Sequence, residues 1–163
     1  MIAPRMGDTG NGGPLMRRGS VMEWLAYLTL APLILCLAGV GLLPDYAARD
    51  LAQRIALDWG AALLAFTGAV HWGFALGGQL PGDGTRAAAA LAPALAGAAA
   101  AVTGGQRGLA LLVVGFGVFW LYEHRRLGAQ LPATYLSLRR QLTLATCVLL
   151  ALIMFASDAA GLG

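Results

Sequence analysis

The sequence predicts an all-α protein, a polytopic transmembrane helix bundle of about five spans. Hydrophobic residues make up 58% of the 163-residue chain and charged residues only 12%, about half the share that is usual in a soluble domain. Apolar stretches of bilayer-crossing length, about 20 residues, recur between short polar turns. So few charges cannot cover the surface of a soluble protein of this size. The composition therefore indicates an integral membrane protein.

We expect a flexible cytoplasmic arm over residues 1–22 and a single transmembrane helical domain over residues 23–160. An apolar run follows Arg17 and Arg18, but it is too long for the core of a signal peptide, so we predict an uncleaved first span. The five spans are placed at about 23–43, 56–78, 86–103, 108–124 and 140–158.

The turns between the spans follow from Pro, Gly and charged residues. Pro32 lies inside span one, where it should loosen the helical hydrogen bonds, and Pro44 marks the exit. The polar segment 44–58 is expected to form one amphipathic turn in the membrane interface. Glycines 77 and 78 end span two. Span three is rich in Ala and weakly hydrophobic, so we expect its neighbours to enclose it.

Span four ends in a polar cluster, residues 123–126, and a basic loop follows. Pro132 is a suitable first residue for a helix. Tyr135, Leu138 and Leu142 share one face at helical spacing, so we expect that segment to lie against the interface before span five.

The Arg distribution predicts the orientation. All 11 basic residues are Arg. With the N-terminus inside, eight face the cytoplasm and three (Arg49, Arg54 and Arg107) face the outside, as the positive-inside rule requires. We predict N-in, C-out; if span three were instead a hairpin, the C-terminus would lie inside. A composition dominated by Ala, Gly and Leu, with Arg as its sole basic residue, favours the inner (cytoplasmic) membrane of a GC-rich bacterium.

Small residues recur at every fourth position of span two. We expect them to form a stripe that lets another backbone approach closely. The partner is either span three or four of the same chain, or a second protein. The stripe comprises Ala61, Ala65, Ala69, Gly73 and Gly77.

His71 lies on another face of span two, together with Thr67. An ionisable side chain at membrane depth is a candidate functional site. The structural alternative is a neutral imidazole hydrogen-bonded to Thr67 or to a facing carbonyl. Trp72 points to a different face and is expected to pack or to lie at the interface.

Glu123 and His124 fall in the same cytoplasmic half as His71, which leaves three hypotheses open. The first is a Glu–His proton relay, and the second is a haem held by His71 and His124. The third is a structural ion pair of Glu123 with one of three Arg residues, Arg125, Arg126 or Arg139.

No motif indicates an enzyme, a cofactor or a metal. Cys36 and Cys147 lie in apolar spans without a CxxC, so we expect packed thiols, and no basic run indicates nucleic acid. Whether the protein is an enzyme is left uncertain, and the sequence leans against it. The leading hypothesis is a non-enzymatic helix-packing scaffold, assembly factor or accessory subunit, with the lipid bilayer and either a membrane protein or a second copy as partners. The alternative is a small proton-linked carrier or channel that uses His71 and Glu123 as a dimer.

Four passages resemble the transmembrane protein 69-like family, small multi-span membrane proteins of bacteria and mitochondria of unknown function. They are GVGLLP at the end of span one, FTGAVHWGFAL in span two, GFGVFWLYEHRR in span four, and LPATYLSLRRQLTLAT before and within span five. The family often has an aromatic residue before the Tyr, where this chain has Thr134. The resemblance implies fold and location, and no mechanism.

Overall fold

A computed structural model describes residues 21, 23–78, 84–128 and 131–161. The predicted arm, residues 1–22, lies outside the described residues except for Val21. Throughout the described ranges the regular structure is helical, without a strand, which confirms the all-α prediction. The helices are α1 (Ala31–Leu42), α2 (Tyr46–Leu76), α3 (Gly84–Thr103), α4 (Gly105–Leu127) and α5 (Ala133–Ala159).

Four helical segments in the described part of the chain are long and apolar enough to cross a membrane. They are Glu23–Leu42, Tyr46–Leu76, Gly105–Arg126 and Ala133–Ala159. In α3 the apolar stretch is shorter, Ala88–Thr103, although the whole helix is about 30 Å long at 1.5 Å per residue. The chain is therefore a multi-pass membrane protein.

The first candidate span is broken near its middle. Residues 23–28 are helical, Thr29 and Leu30 form a turn, and α1 begins at Ala31. Pro32 occupies the first turn of α1, where the missing backbone N–H has no intrahelical partner to lose. Pro32 therefore lies in the first turn of a helix, whereas the sequence placed it in the interior of span one.

The segment before the predicted span two is helical and continuous with that span. Helix α2 runs without interruption for 31 residues, about 46 Å. Asp45 caps it by accepting a hydrogen bond of 3.0 Å from the Ala48 backbone N–H. Asp50 and Arg54, one turn apart, form an exposed ion pair of 2.9 Å. The charges that suggested a connection therefore belong to the first turns of a helix that exceeds the hydrocarbon thickness of about 30 Å.

Helix α5 also absorbs a segment that the sequence assigned to the interface. It begins right after Pro132 and continues to Ala159, so Tyr135 and Leu138 are part of the bundle. At the other end of the molecule Gly104 alone separates α3 from α4. Gly104 and Gly105 have φ values of 68° and 52°, a region that L-residues with a side chain rarely adopt.

Helices α4 and α5 pack antiparallel. The Gln106 amide near the start of α4 donates to the Met154 carbonyl near the end of α5, at 3.1 Å. At the opposite end Glu123 contacts Arg139. The bundle core is apolar and draws on all five helices. Its buried members are Leu33, Cys36, Val40, Ala56, Leu57, Leu64, Ala100, Leu109, Leu112, Phe116, Leu150 and Ile153.

Candidate functional site

Glu123, near the end of α4, is the centre of a buried polar cluster. Its side chain is only 1% exposed. One carboxylate oxygen, Oε2, accepts a hydrogen bond of 3.0 Å from Arg139 Nε. The other, Oε1, accepts one of 2.8 Å from the Tyr135 hydroxyl. A buried carboxylate is tolerated when it is paired and hydrogen-bonded in this way, and removal of one partner is costly.

His71 brings α2 into the same cluster. Its Nε2 lies 3.4 Å from Glu123 Oε1, and its Nδ1 lies 3.1 Å from the Thr67 backbone carbonyl. A carbonyl only accepts hydrogen bonds, so Nδ1 carries the proton in that contact. The Nε2 atom makes no hydrogen bond with good geometry in the described residues. We call His71, Glu123, Tyr135 and Arg139 the buried cluster.

Aromatic rings enclose the cluster. The His71 ring meets Phe119 edge-to-face, with centroids 5.2 Å apart, and Phe74 meets Tyr135 in the same manner at 5.2 Å. Buried Leu131 packs against Phe74 and Tyr135. These contacts keep water from the carboxylate and strengthen its electrostatic interactions, because the local dielectric is low.

Thr67 contributes to the site through its backbone and not through its side chain. The Thr67 hydroxyl donates to the Leu64 carbonyl of its own helix at 2.7 Å. The Thr67 carbonyl is the atom that His71 contacts. Thus His71 receives a carbonyl partner, but from its own helix.

His124 lies outside the buried cluster. Consecutive residues of a helix point about 100° apart, so the burial of Glu123 turns His124 outward. Its exposed imidazole stacks on Trp120, with centroids 5.6 Å apart and an interplanar angle of 13°. The structure does not bring His124 together with His71, as a bis-His haem site requires.

The residue that pairs with Glu123 is Arg139, one of the three Arg residues considered from sequence. Arg125 and Arg126 are exposed. The sequence analysis missed the role of the Tyr135 hydroxyl. A signal was present, because Tyr135, Arg139 and Thr143 recur at every fourth position and thus share one helix face. Thr143 and Thr146 are indeed buried on α5.

The small residues of α2 do not share one environment. Ala61 and Ala65 are half-buried, whereas Ala69, Gly73 and Gly77 are exposed. Because a helix turns 100° per residue, positions spaced by four drift about 40° per step. The stripe therefore winds around the helix, and its second half leaves the face where it starts.

The close approach of α2 to α3 uses glycines outside the stripe. A Cβ on Gly68 would overlap the Ala90 carbonyl oxygen. A Cβ on Gly97 would lie 2.7 Å from the Ala61 carbonyl oxygen. These two contacts also show that α2 and α3 run antiparallel. Ala61, a member of the predicted stripe, takes part in the contact between α2 and α3 through its backbone.

The described part of the chain contains no group of three or more His, Cys, Asp or Glu side chains that could hold a metal ion. Cys36 and Cys147 are both unpaired thiols. The chemistry available at the buried cluster is therefore that of one carboxylate, one imidazole, one phenol and one guanidinium.

A family model described as "Protein of unknown function (DUF3429)" matches residues 20–155, most of the chain. The chain belongs to the DUF3429 family. All residues of the buried cluster fall inside the matched DUF3429 region. No curated protein and no solved structure matches this chain. Membership in DUF3429 assigns no activity, and together with the apolar helices it describes an integral membrane protein of unknown molecular function.

Proposed function

We propose that this chain is a non-enzymatic membrane protein that acts through helix contacts, as a scaffold, assembly factor or accessory subunit. The observation that supports this proposal best is the self-contained bundle interior. Glu123 already accepts hydrogen bonds from Arg139 and Tyr135 of the same chain. This arrangement joins α4 to α5, and each carboxylate oxygen of Glu123 already accepts one hydrogen bond from within the chain.

An apolar layer separates the buried cluster from the other end of the bundle. Its members, Leu64, Leu112, Phe116 and Leu150, are at most 2% exposed. Buried polar side chains in the described residues lie on either side of it, with Gln53 and Ser157 toward the far end. A pathway for ions or protons across a single copy would need polar groups or water at this level. The layer therefore favours a structural role over a transport role.

The exposed half of the small-residue stripe is the surface that we assign to a protein partner. Ala69 and Gly73 are exposed on α2, and a Cβ on Gly73 would meet nothing within 4 Å. In lipid, helices associate through close packing of small residues, because lipid tails already satisfy apolar side chains. The partner is another membrane protein or a second copy of this chain.

The test is to fill this surface with Leu. We expect the double variant Ala69→Leu/Gly73→Leu to lose its oligomer or its co-purifying membrane partner in mild detergent, measured by light scattering and pull-down. The matched control is Ala110→Leu/Gly117→Leu, which makes the same two replacements at exposed positions of a different helix, α4. Equal association of both variants and the wild type would refute the proposal.

One observation favours the second candidate, a proton-linked carrier or channel that works as a dimer. His71 Nε2 lies 3.4 Å from Glu123 Oε1, so an imidazole that takes up a second proton, at Nε2, can share it with this carboxylate after a small movement. The test is proton flux into proteoliposomes. We expect none from the wild type if the scaffold proposal holds, whereas flux that His71→Ala abolishes would support the carrier.

We also propose that the chain is a bacterial inner-membrane protein, with its N-terminus in the cytoplasm, related to the transmembrane protein 69-like family. The Arg distribution and the absence of Lys support the location and orientation. Three of the four similar passages contain members of the buried cluster: HWG contains His71, YEHRR contains Glu123, and ATYLSLRR contains Tyr135 and Arg139. A reporter fused to either end tests the orientation.

A further inference from the structure

A groove of about 230 Å³ lies between the end of α4 and the start of α5. Three of its lining residues are apolar: Trp120, Ala133 and Leu136. The volume is below the range of about 300–1,000 Å³ that encloses a whole drug-sized ligand. The groove can therefore hold one small group of a larger molecule, and the rest of that molecule lies outside the groove.

The polar residues of the groove favour an anion. Arg140, His124 and Ser137 are exposed at the groove, and Glu123 and Arg139 are its more buried members. Glu123 carries the one negative charge of the lining, and the guanidinium of Arg139 offsets it at 3.0 Å. Arg140 therefore remains as a positive charge at the groove without an ion-pair partner among the described residues.

The start of α5 supplies hydrogen-bond donors beside the groove that the described residues leave unused. Helix α5 begins beside the groove without a side-chain cap and without an acidic residue in its first turn. The first backbone N–H groups of a helix lack intrahelical acceptors and attract anions.

We propose that this groove binds the phosphate of an anionic membrane lipid. The phosphate contacts Arg140 and the first turn of α5, and the glycerol and acyl chains continue along the apolar side, past Trp120 and Leu136. A soluble phosphate gains nothing from the apolar wall of the groove, whereas the acyl chains of a lipid can pack against it. The end of a spanning helix is also where lipid headgroups lie, and basic pockets between helices there bind acidic headgroups.

The experiment is native mass spectrometry of the full chain released from detergent in the presence of phosphatidylglycerol or phosphatidylcholine with identical acyl chains. We expect the wild type to retain phosphatidylglycerol selectively. We expect Arg140→Gln to weaken retention about tenfold or more, as the loss of a hydrogen bond to a charged group does. Ala133→Trp should weaken it as well, by filling the groove without any change of charge.

The matched control is Arg126→Gln, which removes the same charge from an exposed position of α4 that does not line the groove. We expect it to retain the lipid nearly as the wild type does. An equal loss in Arg126→Gln and Arg140→Gln would mean that only diffuse charge attracts lipid and would overturn the proposal. Equally tight binding of glycerol phosphate would overturn the lipid assignment. If the wild type retained phosphatidylglycerol and phosphatidylcholine equally, both the anion site and the lipid assignment would be overturned.

Discussion

At the scale of single residues, Glu123 determines which helices meet at one end of the bundle. Its carboxylate contacts Tyr135 and Arg139 of α5 and faces His71 of α2. Each contact joins residues that are distant in sequence, so each fixes how far one helix is shifted along another. In some other helical assemblies buried polar groups fix the register of the helices in this way, and the first prediction tests the buried Glu123–Arg139 pair.

The first prediction is that the Glu123–Arg139 pair is replaceable only as a pair. Glu123→Leu or Arg139→Met alone should destabilise the protein by about 3–5 kcal/mol, because each leaves a buried charge without its partner. The double variant should recover most of that loss, because apolar side chains of similar size can fill the space. Thermal denaturation in detergent measures this, and strictly additive losses would contradict it.

The second prediction concerns the Tyr135 hydroxyl. Tyr135→Phe removes a 2.8 Å hydrogen bond to a buried carboxylate and should cost about 1.5–3 kcal/mol of stability, as expected for a hydrogen bond to a charged group. The matched control is Tyr122→Phe, because Tyr122 belongs to the same aromatic surroundings through its ring. If both variants denature at the same temperature as the wild type, Tyr135 does not support Glu123.

Sequence alone could place His71 and Glu123 in one half of the membrane, but it could not select Arg139 over Arg125 and Arg126. The choice depends on rotation of α4 about its axis, which the packing of Phe116 and Phe119 sets. The Tyr135 hydroxyl was missed for a related reason. An aromatic residue near a helix end is typical of the interface, and only the continuation of α5 to Ala133 draws Tyr135 into the bundle.

At the scale of the helices, the contact between α2 and α3 depends on the absence of side chains. Gly68 lies against the backbone of Ala90, and Gly97 lies against that of Ala61. An Ala-rich α3 has little else to hold it in place, because large apolar side chains are few along it. Close backbone approach is therefore the main source of packing for this helix.

The third prediction contrasts two glycines of α2. Gly68→Ala should lower the stability by about 1–3 kcal/mol, because the new methyl group would overlap the Ala90 carbonyl and force the helices apart. Gly73→Ala should be neutral or stabilising by up to about 1 kcal/mol, because its surroundings are open and Ala favours the helix over Gly. The same denaturation assay compares the two, and equal effects would contradict the contact.

Helix boundaries show where sequence patterns fail for this fold. The existence of the helices followed from apolar stretches and turn residues, and the prediction was confirmed. The start of α2 did not follow, because Arg49, Asp50 and Arg54 suggested a loop. Charges on the first turns of a long helix resemble a connection when only hydropathy is considered. The small residues of α2 show a second limit of sequence patterns. A fourth-residue spacing follows one helical face only over about two turns, so the stripe passes from half-buried to exposed positions.

At the scale of the whole molecule, the bundle has polar groups toward both ends and an apolar middle. Leu64, Leu112, Phe116 and Leu150 form that middle. An interior closed in this way agrees with the proposal that the protein acts through contacts on its outer surface. The lipid groove and the exposed stripe of α2 are both on that surface, and they can be tested independently.

The pairing of Glu123 with α5 has a consequence for how the chain enters the membrane. During synthesis α4 emerges before α5, so the Glu123 carboxylate lacks its partner Arg139 until 16 more residues have been made. An unpaired charge is costly within the membrane. Helices α4 and α5 should therefore enter the bilayer together, as a hairpin. We expect a chain that ends after residue 128 to insert α4 inefficiently, and Glu123→Leu to correct this. In the full chain the same substitution should leave insertion unchanged, so that synthesis order, and not apolarity alone, decides when α4 crosses.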